Sequence, residues 1–165
     1  MTTRTAFLQC MNSLCFLLMV LPALAGPVSE KSVQIYTVTA EGDYDEYKEL
    51  LKLAISNRGV KISNTSHISD MLQRTREAVG ATGNIFTHAE AIEFCSATLS
   101  RQMMAADAHN VLYCPYIIYI YELAGEEGKI YLAFRKLPLT GSQKSRQAIE
   151  RVNKMLTDII LETLE

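Results

Sequence analysis

The chain has 165 residues, 48% hydrophobic and 21% charged, which supplies one domain with its own core and falls short of two. Its formal net charge is −2, with no basic run along the chain. Such a surface cannot neutralise a row of phosphates and argues against nucleic acid as a partner.

Arg4 is the only charge before Glu30, and residues 14–21 are an unbroken apolar run followed by Pro-Ala-Leu-Ala and Gly26. This is the pattern of a secretory signal peptide over residues 1–25, with small side chains at Ala23 and Ala25 before the cleavage point. The apolar run is well short of the roughly 20 residues that span a bilayer. Cys10 and Cys15 do not lie after the run, where a lipid-modified cysteine would have to stand. The expected product is periplasmic or secreted, has no transmembrane anchor after cleavage, and retains two of the four cysteines, Cys95 and Cys114. Residues 26–32 read as a polar leader and 33–165 as a single domain.

Val33, Ile35 and Thr37 alternate with their neighbours as a first strand, which Gly42 ends. Asp43 with Glu46 has the form of a capping box and predicts a helix with Tyr47, Leu50, Leu51, Ala54 and Ile55 on its inner side, stopped at Asn57, Arg58 and a left-handed Gly59. Val60 and Ile62 open a second strand. Ser66 is placed as the cap of a second helix, striped by Ile68, Met71, Leu72, Thr75 and Val79 and closed by Gly80. Residues 85–95 are balanced between helix and strand, because Ala89 to Glu93 suit the one and Phe86, Ile92 and Phe94 the other. Ser96 caps a helix carrying Leu99, Met103 and Ala106. Residues 111–123 read as one long central strand covered on both faces, turned at 125–128 into a hairpin with 129–135. Pro138 and Gly141 break the chain. Ala148, Ile149, Val152, Met155, Leu156, Ile159, Ile160 and Thr163 then mark the inner face of a C-terminal amphipathic helix. This order predicts an α+β fold: one domain with a mixed or mostly antiparallel sheet and packed helices.

The segments SHISDMLQRTREAVG, EFCSATLSRQMMAAD, VLYCPYIIYIYEL and IYLAFRKLP resemble the family catalogued as domain of unknown function 302, in its secreted proteobacterial form. The resemblance covers about residues 43–138, is most specific at Cys95-Ser96 and Cys114-Pro115, and leaves the C-terminal helix outside. It implies a strand leading into Cys95 and a compact α+β domain with no established activity.

Three arrangements are open to the two cysteines. In an oxidising compartment an even pair is most simply a disulfide, here closing a loop of about twenty residues. Cys95, ahead of a helix start, could instead be a reactive thiol with Cys114 resolving it, or both could be buried packing thiols. His67, His88 and His109 show no metal-site spacing, and neither a metal nor another cofactor is predicted. Tyr116, Tyr119, Tyr121 and Tyr131 on the hairpin, with Arg74 and Arg101 on flanking helices, are the candidate ligand-binding residues; cross-strand aromatic pairing accounts for the same tyrosines without a ligand. Two functions follow. The favoured one is a non-enzymatic accessory domain of the cell envelope that binds a small ligand or a partner protein, with a homodimer left open. The alternative is a thiol-dependent redox or sulfur-handling protein built on Cys95 and Cys114.

Overall fold

The computed structural model describes residues 34–165; the expected signal peptide, the leader and Val33 lie outside the described residues. The elements are β1 (Ile35–Glu41), α1 (Tyr44–Asn57), β2 (Ile62–His67), α2 (Ile68–Thr75), β3 (Phe86–Phe94), α3 (Ala97–Ala106), β4 (Tyr116–Leu123), β5 (Lys129–Arg135) and α4 (Gln143–Thr163), with short 3-10 turns at Glu77–Val79 and Ala108–Tyr113. The five strands form one antiparallel sheet in the order β1-β5-β4-β3-β2. This is the predicted α+β class, with β3 as the strand that runs into Cys95. Among the described residues no helix is long and apolar enough to cross a membrane.

The helix caps follow the side chains the sequence offers. The Glu46 N–H donates to Asp43 Oδ1 at 3.0 Å, the Leu99 N–H to Ser96 Oγ at 3.4 Å and the Ser145 N–H to Ser142 Oγ at 3.2 Å, so α1, α3 and α4 each start on an oxygen that takes an otherwise orphaned donor. Replacing Asp43 with Ala should lower stability by about 1 kcal/mol, read as a fall in the urea midpoint at unchanged slope; an unmoved midpoint would count against the cap. At the far end of α1, Gly59 adopts φ +67°, the left-handed stop.

One face of the sheet carries the core. Ile92 and Phe94 of β3, Ile118 and Ile120 of β4, and Ile130, Leu132 and Phe134 of β5 pack against Leu51, Ala54 and Ile55 of α1, Met103 of α3 and the apolar stripe of α4. Every residue predicted for the inner face of α4 is buried, and Ser145 joins them. The Asn153 amide accepts from the Leu137 N–H and donates to the Leu137 carbonyl, both at 2.8 Å, which ties the linker after β5 onto α4.

Five local expectations are corrected. Leu50 is exposed, because Tyr44, Leu51, Ala54 and Ile55 already fill the buried side of α1. Ser66 is not a cap: it lies in β2 opposite Ala91, its hydroxyl bonds Glu93 at 3.1 Å, and α2 begins after His67 without a side-chain cap. The stripe on α2 buries no residue, since the helix stands beside the first half of β3, beyond the last pairing of β2, and Met71 and Val79 face solvent. The long strand starts only at Tyr116. Asp107 caps the 3-10 turn by accepting from the His109 N–H at 2.9 Å, and Pro115 has no N–H for a ladder, so Val111 and Leu112 are exposed rather than paired. Nor, among the described residues, do helices cover both faces of this strand: residues on one side of β4 are buried, and those on the other are only half-buried.

Candidate functional site

Alternation puts a second set of side chains on the face turned away from α1, α3 and α4. β4 contributes Ile117, Tyr119, Tyr121 and Leu123, and β5 contributes Lys129, Tyr131, Ala133 and Arg135. Tyr121 and Tyr131 are register partners whose rings stack with centroids 4.8 Å apart and planes 4° from parallel. Phe86 meets Tyr121 edge-on at 5.9 Å, and Lys129 Nζ lies 5.2 Å from the centre of the Tyr131 ring. The Tyr131 hydroxyl donates to Glu126 at 2.6 Å, and Arg135 donates to the Tyr119 hydroxyl beside its own ring. Burial pushes the Tyr121 phenol up. Tyr119 sits between Ala91 and Ala133, whose small side chains leave its ring room on the sheet.

The structure thus gathers Tyr119, Tyr121 and Tyr131 on one face and leaves the other predicted residues elsewhere. Tyr116 points into the core, edge-on to Phe94, with its hydroxyl 2.9 Å from Ser100 Oγ; burial, partly offset by that bond, raises its phenol. Tyr113 lies in the 3-10 turn, 3.1 Å from Thr140 Oγ1. Arg74 and Arg101 are exposed, and neither has a hydrogen bond or ring contact with these tyrosines. The arginine that does meet the tyrosine face, Arg135, was not among the predicted residues. Its signal was parity: it stands four positions after Tyr131 on the same strand.

A second site is the cysteine pair. Phe94 pairs with Tyr116, so Cys95 just past the end of β3 and Cys114 just before β4 are carried side by side, with Cα atoms 6.5 Å apart and joined as a disulfide. Both are half-buried, so neither is the deeper of the pair. Cys114 Sγ lies 3.7 Å from the hydroxyl of Ser100, which α3 buries beneath the bridge.

At the opposite end of β3, roughly 20 Å away at about 3.3 Å per residue, the histidines meet carboxylates. His67 Nδ1 is 3.1 Å from Glu90, and His88 Nε2 is 3.9 Å from the buried Glu122, which also accepts from the Gly128 N–H at 2.5 Å. The Tyr44 ring stacks on His88 at 4.5 Å; its buried hydroxyl has no hydrogen-bond partner among the described residues, and burial, reinforced by the charge of Glu90, raises its phenol well above the ordinary range. Among the described residues no three His, Cys, Asp or Glu side chains converge as metal ligands.

Fold and sites define a two-layer α+β domain: helices on one sheet face, tyrosines on the other, and a disulfide at one end. The chain belongs to the family Domain of unknown function DUF302, whose model matches residues 36–163. The match takes in β1 and α4, beyond the 43–138 read from the sequence. A similar solved structure is that of the uncharacterized conserved protein DUF302 from Bacillus stearothermophilus, which shares the fold at a TM-score of 0.65 and 15% identity over 78% of this chain and 96% of that one. No curated protein matches the chain.

Proposed function

We propose that the protein is an exported, non-enzymatic accessory domain that binds a partner protein across the tyrosine-bearing face of its sheet. The observation that carries this reading is a sheet face over which, among the described residues, no helix packs, set with Ile35, Ile117, Tyr119, Tyr121 and Tyr131. Ile35 is 66% exposed on β1. Small-molecule sites are concave and enclosing. Here the ring faces are already engaged by Phe86, Lys129 and each other, and Tyr edges with flanking cations stand out from a broad surface. Tyrosine and arginine are the residues that dominate protein interfaces. Export is supported by the pattern of residues 1–25.

A photo-reactive residue placed at Tyr119, and separately at the exposed Glu150 on α4, tests the face in the producing cell. Crosslinking from position 119 to one discrete protein, lost when Tyr131→Ser is added and absent from position 150, is the expected result. Equal crosslinking from both positions, or none from 119, would overturn the reading.

A further inference from the structure

A groove of about 400 Å³ opens where the end of α1, the start of α3 and the middle of α4 meet, lined by Arg58, Ser96, Thr98, Arg151, Lys154 and Asp158. It lies in the helical layer, so the inference drawn from it is independent of the binding role of the tyrosine face. Three cations line it against one carboxylate, in a chain whose net charge is negative. Arg58 is held by Glu162, and Lys154 by Asp158 at 2.7 Å. Arg151 is exposed and forms no ion pair or hydrogen bond among the described residues. The positive end of the α3 backbone dipole opens on the same groove.

Ser96 follows Cys95 directly, so the groove abuts the Cys95 end of the disulfide. The Cys114 end is equipped differently. Its sulfur is 3.7 Å from Ser100 Oγ, which is itself 2.9 Å from Tyr116 Oη, so a relay of two buried hydroxyls terminates on one of the two sulfurs. In thiol–disulfide exchange the expelled thiolate leaves faster when its charge is stabilised. The two sulfurs are equally half-buried, so their neighbours distinguish them: the cationic groove borders the Cys95 side, and the hydroxyl relay favours Cys114 as the leaving thiolate.

We propose that Cys95–Cys114 is a thiol–disulfide exchange site for low-mass thiols that bear carboxylates, which seat their anionic groups against Arg58, Arg151 and Lys154. The incoming thiol loses its proton to solvent, and its thiolate forms a bond to Cys95 Sγ as the Cys95–Cys114 bond breaks. The electron pair of that bond leaves on Cys114, which accepts a hydrogen bond from Ser100 and then takes up a proton. A second thiol attacks the mixed disulfide at its own sulfur, releasing the small-molecule disulfide and the Cys95 thiolate. Two thiols are oxidised and one protein disulfide is reduced.

The test uses the oxidised protein with 3-mercaptopropionate, 2-mercaptoethanol and cysteamine as anionic, neutral and cationic probes, following free thiols over time. Because the probes differ in intrinsic reactivity, the quantity compared between proteins is the ratio of the anionic to the cationic rate constant. Arg151→Glu should lower that ratio roughly tenfold, the low end of what focused charge does for association rates, and raising the salt concentration should lower it in the wild type. Ser100→Ala should slow all three probes alike. Acid-quenched, alkylated intermediates should carry the probe on Cys95 and the alkyl group on Cys114. A ratio unmoved by Arg151→Glu, or a probe found on Cys114, would overturn the proposal. Since Arg151 is on the surface, loss of fold does not obscure the result.

Discussion

A chain ending before Ser142 should fail to fold, showing no cooperative melting transition and eluting as an aggregate in size-exclusion chromatography. α4 contributes Ala148, Ile149, Val152, Met155, Leu156, Ile159 and Ile160 to the core, and its removal uncovers the inner face of β4 and β5. Each fully buried aliphatic side chain is worth about 2 kcal/mol. The four largest aliphatics among them, Ile149, Leu156, Ile159 and Ile160, therefore already rival the net stability of about 5–15 kcal/mol that a domain possesses. A single cavity grades the effect: Ile159→Ala should cost about 3 kcal/mol. A truncated protein that melts cooperatively near the parent temperature would show that α4 is dispensable to the core.

Removing the disulfide should cost about 3 kcal/mol, because Cys95 and Cys114 are 19 positions apart and the cross-link restricts the unfolded chain over that loop. For a domain of this size the melting temperature should drop by about 10 °C. The double replacement of both cysteines by Ser should fall no further than either single one, since one bond is lost in every case. If reductant leaves the melting temperature of the wild type unchanged while free thiols appear, the bond makes no contribution to stability, and the exchange chemistry would stand or fall on its own kinetics.

Much of this fold was legible because the local signals agree with the packing. The predicted caps Asp43 and Ser96 both cap, the left-handed stop at Gly59 is present, and the eight positions on the inner side of α4 are all buried. The hairpin of β4 and β5 was equally plain, with alternating apolar residues around a Gly-bounded turn. What the sequence concealed depended on neighbours distant along the chain. Residues 85–95 had no decisive period, and β2 and β4 on either side decide that they pair as a strand. Ser66 has the chemistry of a cap, but Glu93 across the ladder claims its hydroxyl. The candidate site was half visible. Tyrosine content marked the hairpin, but which face each ring takes is a matter of register, and a shift in parity sends Tyr116 into the core while Tyr119 and Tyr121 remain outside. Adjacency of the two cysteines could be argued only as far as the neighbouring of their strands, which the pairing of Phe94 with Tyr116 supplies.

The order β1-β5-β4-β3-β2 also governs when the domain can close during synthesis. Among the described residues β1 pairs only with β5, and Ile35 faces Arg135 a hundred positions further on. β3, β4 and β5 have near neighbours and can zip as a meander, but β1 has nothing to dock on until β5 emerges about a hundred positions later, and α4, which roofs the sheet, follows β5. Long-range pairing of this kind slows the search for the native state. The nascent chain is therefore committed to emerging open, with one sheet edge unfilled and its apolar side bare. Any chaperone that holds it, or any machinery that must thread it, has until the arrival of α4 to act.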